Sequence, residues 1–338
     1  MDREETVFNP GDVIADRYQV AEELGRGSYG VVFRAIQLGI GRNVALKTLL
    51  PHTKIGSEEH QRFEREALVV SRFNHPNIVT LYDYGEYAGV LFMVMEFVEG
   101  RPLRQVIEED GPMAPDRVRA IMLQMLDALQ YAHEQNVAHR DLKPANIQLI
   151  HNPSFGVEYN EQVKVLDFGI AKFVHGEDDG SALDSLTQTG VAMGTPQYMS
   201  PENISGDPVT HHVDLYAAGL IMYEMLTAEP AFTGDDPQAV MVAHIKDPPP
   251  RVDKEPHLKP FARVLAASLK KQPDERIPTA RHMRELILTD FPQPEPREGF
   301  ETIHPEPAAT TSLIKPLAAI AVAASVVILL LILVLLDI

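Results

Sequence analysis

Reading from the amino end, apolar positions first fall in short runs rich in Val, Ile and aromatic residues, at 18–23, 31–36, 43–48, 78–84 and 91–97, separated by glycine-bearing turns. Runs of this length bounded by turn formers predict strands. One stretch, 58–73, interrupts the series with helical spacing. After Gly100 the period changes: Ile121, Leu123, Met125, Leu126, Leu129 and His133 recur at helical intervals, and 213–227, 237–246, 260–270 and 279–288 read as further helices. The pattern predicts an α+β chain in which a small sheet-rich lobe with a single helix precedes a larger helical lobe. Binding sites favour such junctions, so the chemistry is expected in the cleft between the lobes.

The pattern changes again towards the carboxyl end. Between 289 and 316, Pro292, Pro294, Pro296, Pro305, Pro307 and Pro316 interrupt any helix and few large apolar residues lie between them, which predicts a tether. Residues 317–336 are then Leu, Ile, Val, Ala and one Ser without a polar face. At about 1.5 Å per residue, a helix of that length crosses roughly 30 Å of hydrocarbon, so a membrane span is expected. The acidic stretch 1–12 carries no apolar run, and no secretory signal is expected there. Everything ahead of 317 is therefore expected in the cytoplasm, with Lys315 beside the span in agreement. The expected organisation is an extension at 1–17, a globular unit at 18–288 with its lobes meeting near 98, a linker at 289–316 and the span at 317–336.

Composition narrows the chemistry. A chain of 338 residues exceeds the roughly 250–300 at which single cores stop growing. A net charge of −18 argues against a nucleic-acid partner. With no cysteine, disulfides, zinc thiolates, iron–sulfur clusters and thiol catalysis are excluded. Catalysis must then run on oxygen, nitrogen or a bound metal.

Three segments supply such groups. Gly25-Arg26-Gly27-Ser28-Tyr29-Gly30 forms a turn between two predicted strands, and glycines there let backbone N–H groups approach phosphate oxygens. A dinucleotide fingerprint would need strand, turn and helix, and a Walker loop would need Gly-Lys-Ser/Thr, so neither fits. Lys47, in Val44-Ala45-Leu46-Lys47, follows Gly30 by 17 residues and is expected to aim its ammonium at the same phosphates; Glu66 is the expected holder of that ammonium, with Glu58, Glu59 and Glu64 as rivals. His139-Arg140-Asp141-Leu142-Lys143-Pro144-Ala145-Asn146 sets a carboxylate five residues before an amide, the one suited to a substrate hydroxyl and the other to a metal. Asp167-Phe168-Gly169 adds a carboxylate at a strand end, and Asp167 with Asn146 offers the oxygen ligands that Mg2+ prefers.

In this order and spacing the motifs identify the chain, over about 18–288, as similar to the eukaryotic-like protein kinases and closest in flavour to bacterial membrane-anchored Ser/Thr kinases. The resemblance implies a bilobal protein kinase fold and phosphoryl transfer from ATP with Mg2+, or Mn2+ in its place, to Ser and Thr of protein substrates. It implies an ATP site under the glycine turn formed by Leu24, Gly25, Gly27, Gly30, Val32, Ala45, Lys47 and Glu66, with Met95, Glu96 and Val98 at the hinge and Gln148 on the floor. Asp141, Lys143 and Asn146 would be catalytic, and Asn146 and Asp167 would hold the metal. His139, Arg140, Thr195, Glu202, Asp214 and Arg276 would be structural: Ser200-Pro201-Glu202 resembles the family's Ala-Pro-Glu, Glu202 would pair with Arg276, and Asp214 would brace the catalytic loop. Lys143 and Gly194-Thr195-Pro196 imply Ser/Thr rather than Tyr specificity. The segment 170–199 would be an activation loop, with Thr187 and Thr189 as phosphosites paired by Arg140 and Lys172, phosphorylated in trans within a homodimer on the membrane. The remaining histidines are expected to decorate surfaces rather than bind metal.

The sequence also departs from that pattern. Gln148 stands where an apolar residue commonly covers adenine, residues 151–162 lengthen the connection before Asp167 and are expected to form a surface hairpin, and Ile277 follows Arg276 where proline is common. Ala145 argues against a strict requirement for basic substrates. The competing reading is a kinase-fold scaffold with weak or no phosphoryl transfer.

Overall fold

The computed structural model describes residues 7–27, 30–49, 57–151, 160–168, 196–252, 256, 258–291 and no others. The expected linker beyond Phe291, the expected span at 317–336 and the positions Thr187, Thr189 and Thr195 lie outside the described residues. Among the described residues no helix is long and apolar enough to cross a membrane.

Strands β1 (Val13–Ile14), β2 (Tyr18–Arg26), β3 (Gly30–Gln37) and β4 (Arg42–Leu49) are followed by α1 (Glu58–Val70), β5 (Leu81–Tyr87) and β6 (Val90–Glu96). The strands form an antiparallel sheet in the order β1-β2-β3-β4-β6-β5. Alternation explains why it folds: Val31, Phe33 and Ala35 on β3 and Val44 and Leu46 on β4 are buried on one face with Tyr18, Phe92 and Val94. Val32, Ala45 and Lys47, the intervening residues, turn to the opposite face, and register sets Val32 directly across from Lys47. Gly30 is required by close approach, since a Cβ there would collide with the carbonyl oxygen of Thr48.

The rest of the described chain is mainly helical. A small sheet of β7 (Arg101–Pro102), β8 (Ile147–His151) and β9 (Glu161–Val165) accompanies α2 (Leu103–Asp110), α3 (Pro115–Glu134), α4 (Pro201–Ser205), α5 (His212–Thr227), α6 (Pro237–Lys246), α7 (Ala262–Ser268) and α8 (Ala280–Asp290). Helix α5 is apolar nearly all round, and from Val213 to Met222 every residue is buried, which makes it the axis of the helical core. Ile121, Met125, Leu126 and Leu129 of α3 pack into the same core as Leu215, Leu220 and Ile221 of α5. Side-chain caps begin several helices: Ser57 accepts from His60 N (3.3 Å), Asp236 from Ala239 N (2.7 Å) and Thr279 from His282 N (3.1 Å).

The bilobal α+β architecture matches the hydrophobic pattern, with local corrections. The strand expected at 78–84 begins at Leu81, because Ile78 is drawn into a parallel bridge with Val165 and Val79 N donates to Val165 O (3.1 Å). The helix expected to reach 73 ends at Val70. Helix α2 and strand β7 were not foreseen; Leu103, Val106 and Ile107 of α2 are buried, but eight residues carry too short a period to stand out. The stretch 151–162 is shorter as an insertion than it reads, since His151 pairs with Glu161 and Ile150 with Gln162 in the β8–β9 ladder. Ile277 has a reason to replace proline: its N–H donates to Ala267 O (3.3 Å) and its side chain is buried.

Candidate active site

The segment from His139 to Asn146 has no regular structure ahead of a short 3-10 turn, so its shape must come from side chains. Asp214, in the first turn of α5 and 1% exposed, provides it. Its Oδ2 accepts His139 N (2.7 Å) and His133 Nε2 (2.7 Å), and its Oδ1 accepts Arg140 N (2.8 Å). Burial opposes the charge, but the hydrogen bonds from the His133 side chain and the His139 backbone outweigh it and hold the carboxyl below its ordinary value. Arg140 takes the left-handed conformation (φ 62°), which costs a non-glycine residue about 1–3 kcal/mol. The two adjacent N–H groups pinned on Asp214 keep it there.

His139 extends the brace to the strand end before Asp167. Its Nε2–H donates to Leu166 O (2.8 Å) and its Nδ1 accepts from Asp141 N (3.3 Å), a pairing that fixes the tautomer. Full burial holds this imidazole below its ordinary value, and it is neutral. Phe168 closes the arrangement from below. Its ring is 1% exposed and lies 4.7 Å from His139 and 5.0 Å from Phe73, centroid to centroid.

On this frame Lys143 Nζ donates to Asp141 Oδ2 (2.8 Å), while Asn146 Nδ2 donates to the carbonyl of Asp141 (2.9 Å). Asn146 O accepts Leu166 N (2.8 Å), binding the loop to the residue before Asp167. Asp167 again has positive φ (44°), and Lys47 Nζ of β4 reaches its Oδ1 at 3.0 Å across 120 residues of sequence. The Lys47 ammonium is the main reason the Asp167 carboxyl sits below its ordinary value. The structure thus gathers Lys47, Asp141, Lys143, Asn146 and Asp167. Glu66 lies on α1, its side chain outside the described residues; of the rivals, Glu64 accepts Tyr84 Oη (3.3 Å), and burial with Glu64 pushes that phenol up to about 12.

The lobe junction carries an interaction the sequence reading missed. Lys164 of β9, 7% exposed, donates to Glu96 Oε2 (2.7 Å), and the same oxygen accepts Thr80 N (3.3 Å). A Lys three residues before Asp167, opposite an acidic residue at the end of β6, is a signal that pairing between distant strands alone makes readable. Met95 is buried in that stretch, Leu24 is 47% exposed at the glycine-turn end of β2, and Val32 and Ala45 are half-buried. No described atom lies within 4 Å of a Cβ built at Gly25, and Gly27 N donates to Gly30 O (2.9 Å) across the turn. Gln148, on β8, keeps its Oε1 buried without a hydrogen-bond partner among the described residues.

Farther from the cleft, Arg276 grips Glu202 with two bonds of 2.6 Å, both side chains being almost wholly buried, and gives its other donors to the carbonyls of Lys270, Lys271 and His212. The expectation that the remaining histidines decorate surfaces is corrected at His133 and His244. His133 is 7% exposed and His244 fully buried, because the helical period that marks α3 as amphipathic turns His133 inward to Asp214, while Tyr216 Oη meets His244 Nδ1 at 3.0 Å.

The sequence profile described as the protein kinase domain matches residues 18–287. This chain belongs to that family. Among curated relatives, the chain is 38% identical over 317 residues to the serine/threonine-protein kinase pkn3 of Myxococcus xanthus, covering 91% of this chain and 55% of that kinase. It is 39% identical over 277 residues to the serine/threonine-protein kinase PknB of Mycobacterium tuberculosis, covering 80% of this chain and 42% of that one. The chain therefore spans about half the length of the curated relatives it matches. Among solved structures, the PknI kinase domain of Mycobacterium tuberculosis superposes with a TM-score of 0.63 at 25% identity, covering 84% of this chain and 100% of that one.

The buried Glu202–Arg276 pair carries a stability prediction. Replacing Arg276 with Met leaves Glu202 charged and uncompensated, and urea unfolding of Arg276→Met is expected to lose about 3–5 kcal/mol.

Proposed function

We propose that this chain is a protein serine/threonine kinase that transfers the γ-phosphoryl group of ATP to Ser and Thr hydroxyls of proteins. The observation that carries the reading is the convergence of Lys47 on Asp167 beside the Asp141–Lys143–Asn146 cluster. A scaffold without transfer would be expected to have lost one of these groups, and all are present.

The donor set fits a magnesium ion. Asn146 Nδ2 is committed to the Asp141 carbonyl, so the amide oxygen is the atom left to ligate, and Asp167 adds a carboxylate; a hard cation takes such oxygens and completes its shell with water and phosphate. When bound, the ion would neutralise charge on the transferred phosphoryl group. The residues of the chain do the rest. Leu24, Val32 and Ala45 would cover the nucleobase from the sheet, Gln148 would underlie it, Met95 would bound the pocket, and the backbone of Glu96 and Val98 would read its edge. The N–H groups around Gly25, Gly27 and Gly30 and the ammonium of Lys47, held with Glu66, would orient the phosphates. Asp141 would orient the substrate hydroxyl and accept its proton, with Lys143 stabilising the transferred charge, so that catalysis is positioning plus electrostatics. Thr195 would bond the same aspartate and lysine.

The regulatory and cellular reading extends this one. Phosphates on Thr187 and Thr189 would pair with Arg140 and Lys172, placed in trans between copies confined to one surface, the bacterial inner membrane, by the apolar stretch 317–336, with the kinase domain in the cytoplasm. The composition of that stretch supports anchoring.

Transfer of labelled γ-phosphate by the full-length chain in detergent is expected to mark Ser and Thr of a generic protein substrate, and Asp141→Asn to lower the rate at least about 100-fold with nucleotide binding retained. Phosphopeptide mapping of the active chain is expected to find Thr187 or Thr189 modified; both unmodified in active protein would remove the loop switch. Gln148→Leu removes an acceptor that a bound nucleobase would seal from water, and its Kd for ATP is expected to fall about tenfold by fluorescence titration.

A further inference from the structure

Beyond the cleft, on the far side of Asp214, three histidines meet where the end of α3 approaches the start of α5. The ring of His133 lies 5.2 Å from that of His211, centroid to centroid, and His211 stacks on His212 at 4.3 Å. What each ring nitrogen does follows from its partner. A carboxylate can only accept, so His133 Nε2 carries the proton that it gives Asp214 Oδ2 at 2.7 Å, and Nδ1 is the ring nitrogen left for a further ligand. That Nδ1 is buried, has no hydrogen-bond partner among the described residues, and belongs to a side chain 93% removed from solvent (7% exposed). A carbonyl likewise only accepts, so His211 Nε2 donates to Pro278 O at 2.9 Å and its Nδ1 is likewise the nitrogen left for a further ligand.

Both rings are therefore set up as metal-ligating imidazoles are, one N–H given to a carboxylate or backbone carbonyl and the other nitrogen left as a base. The spacing agrees. A tetrahedral ion held at about 2.0–2.1 Å by two imidazole nitrogens puts their ring centroids roughly 5 Å apart. The geometry points to a two-histidine site for Zn2+, with His133 and His211 as ligands through Nδ1. His212 is not a third ligand, because rings stacked within 29° of parallel do not converge on one ion, and its Nδ1 meets Thr210 Oγ1 at 3.0 Å. Among the described residues no group of three or more His, Cys, Asp or Glu side chains gathers to hold a metal, so water completes the zinc shell. Imidazole selects zinc over magnesium, which prefers oxygen, so the site discriminates against the ion that the phosphoryl-transfer cleft would use. Zinc on His133 also fixes the tautomer that donates to Asp214, and so bears on the carboxylate that holds His139 and Arg140.

The test is calorimetric titration of ZnCl2 into the full-length chain in detergent, with millimolar Mg2+ present throughout. One zinc per chain in the micromolar range is expected. His211→Gln keeps an N–H for Pro278 O but loses the ligating nitrogen, and its affinity is expected to fall at least tenfold, while His60→Gln, remote from the site, retains it. Absence of zinc binding, or equal affinity in wild type and His211→Gln, overturns the assignment. Should His211→Gln misfold, the wild-type chain still decides: zinc is expected to slow carbethoxylation of His211 and not that of the exposed His282, and equal labelling of His211 with and without zinc overturns it.

Discussion

A single buried carboxylate sets the geometry of the loop from His139 to Asn146. Asp214 receives two consecutive backbone N–H groups and an imidazole, and those three bonds repay the desolvation of a charge that would otherwise not survive 1% exposure. The segment they hold has few backbone partners of its own and includes Arg140 in a left-handed conformation. Because α5 is apolar nearly all round and locked into the helical core, the carboxylate is presented from a rigid element. The precision of Asp141, Lys143 and Asn146 is thus borrowed from the core.

The second constraint joins the lobes. Lys47 comes from the sheet and Asp167 from the end of the small three-stranded sheet, and they meet because Phe168 is wedged against His139 and Phe73. The Ile78–Val165 bridge and the Lys164–Glu96 ion pair stitch the same junction. Several independent contacts therefore converge on one relative placement of the strand ends, and the left-handed φ of Asp167 is paid by that redundancy.

Much of this was legible in the order of residues. Alternation at Val31, Phe33, Val44 and Leu46 marked the sheet, the helical period marked α3 and α5, and the motifs around Asp141 and Asp167 were specific enough to imply a family and its site. Short elements such as α2 and β7 were not, since eight residues or two give periodicity too little length. The ion pair of Lys164 with Glu96 was hidden for another reason: 68 residues separate the partners, and neither is unusual in its own neighbourhood.

The sequence alone therefore determined which segments bury which faces and which side chains carry oxygen and nitrogen chemistry, because periodicity and motif spacing are local properties of the chain. Tertiary structure alone decided partnership. That His133 faces Asp214 and not solvent, that Gln148 holds a buried acceptor with no donor among the described residues, and that His133 and His211 adjoin all depend on the crossing of α3, α5 and the β8 strand. Such proximities arise when elements distant in sequence pack to exclude water, and no local pattern encodes them.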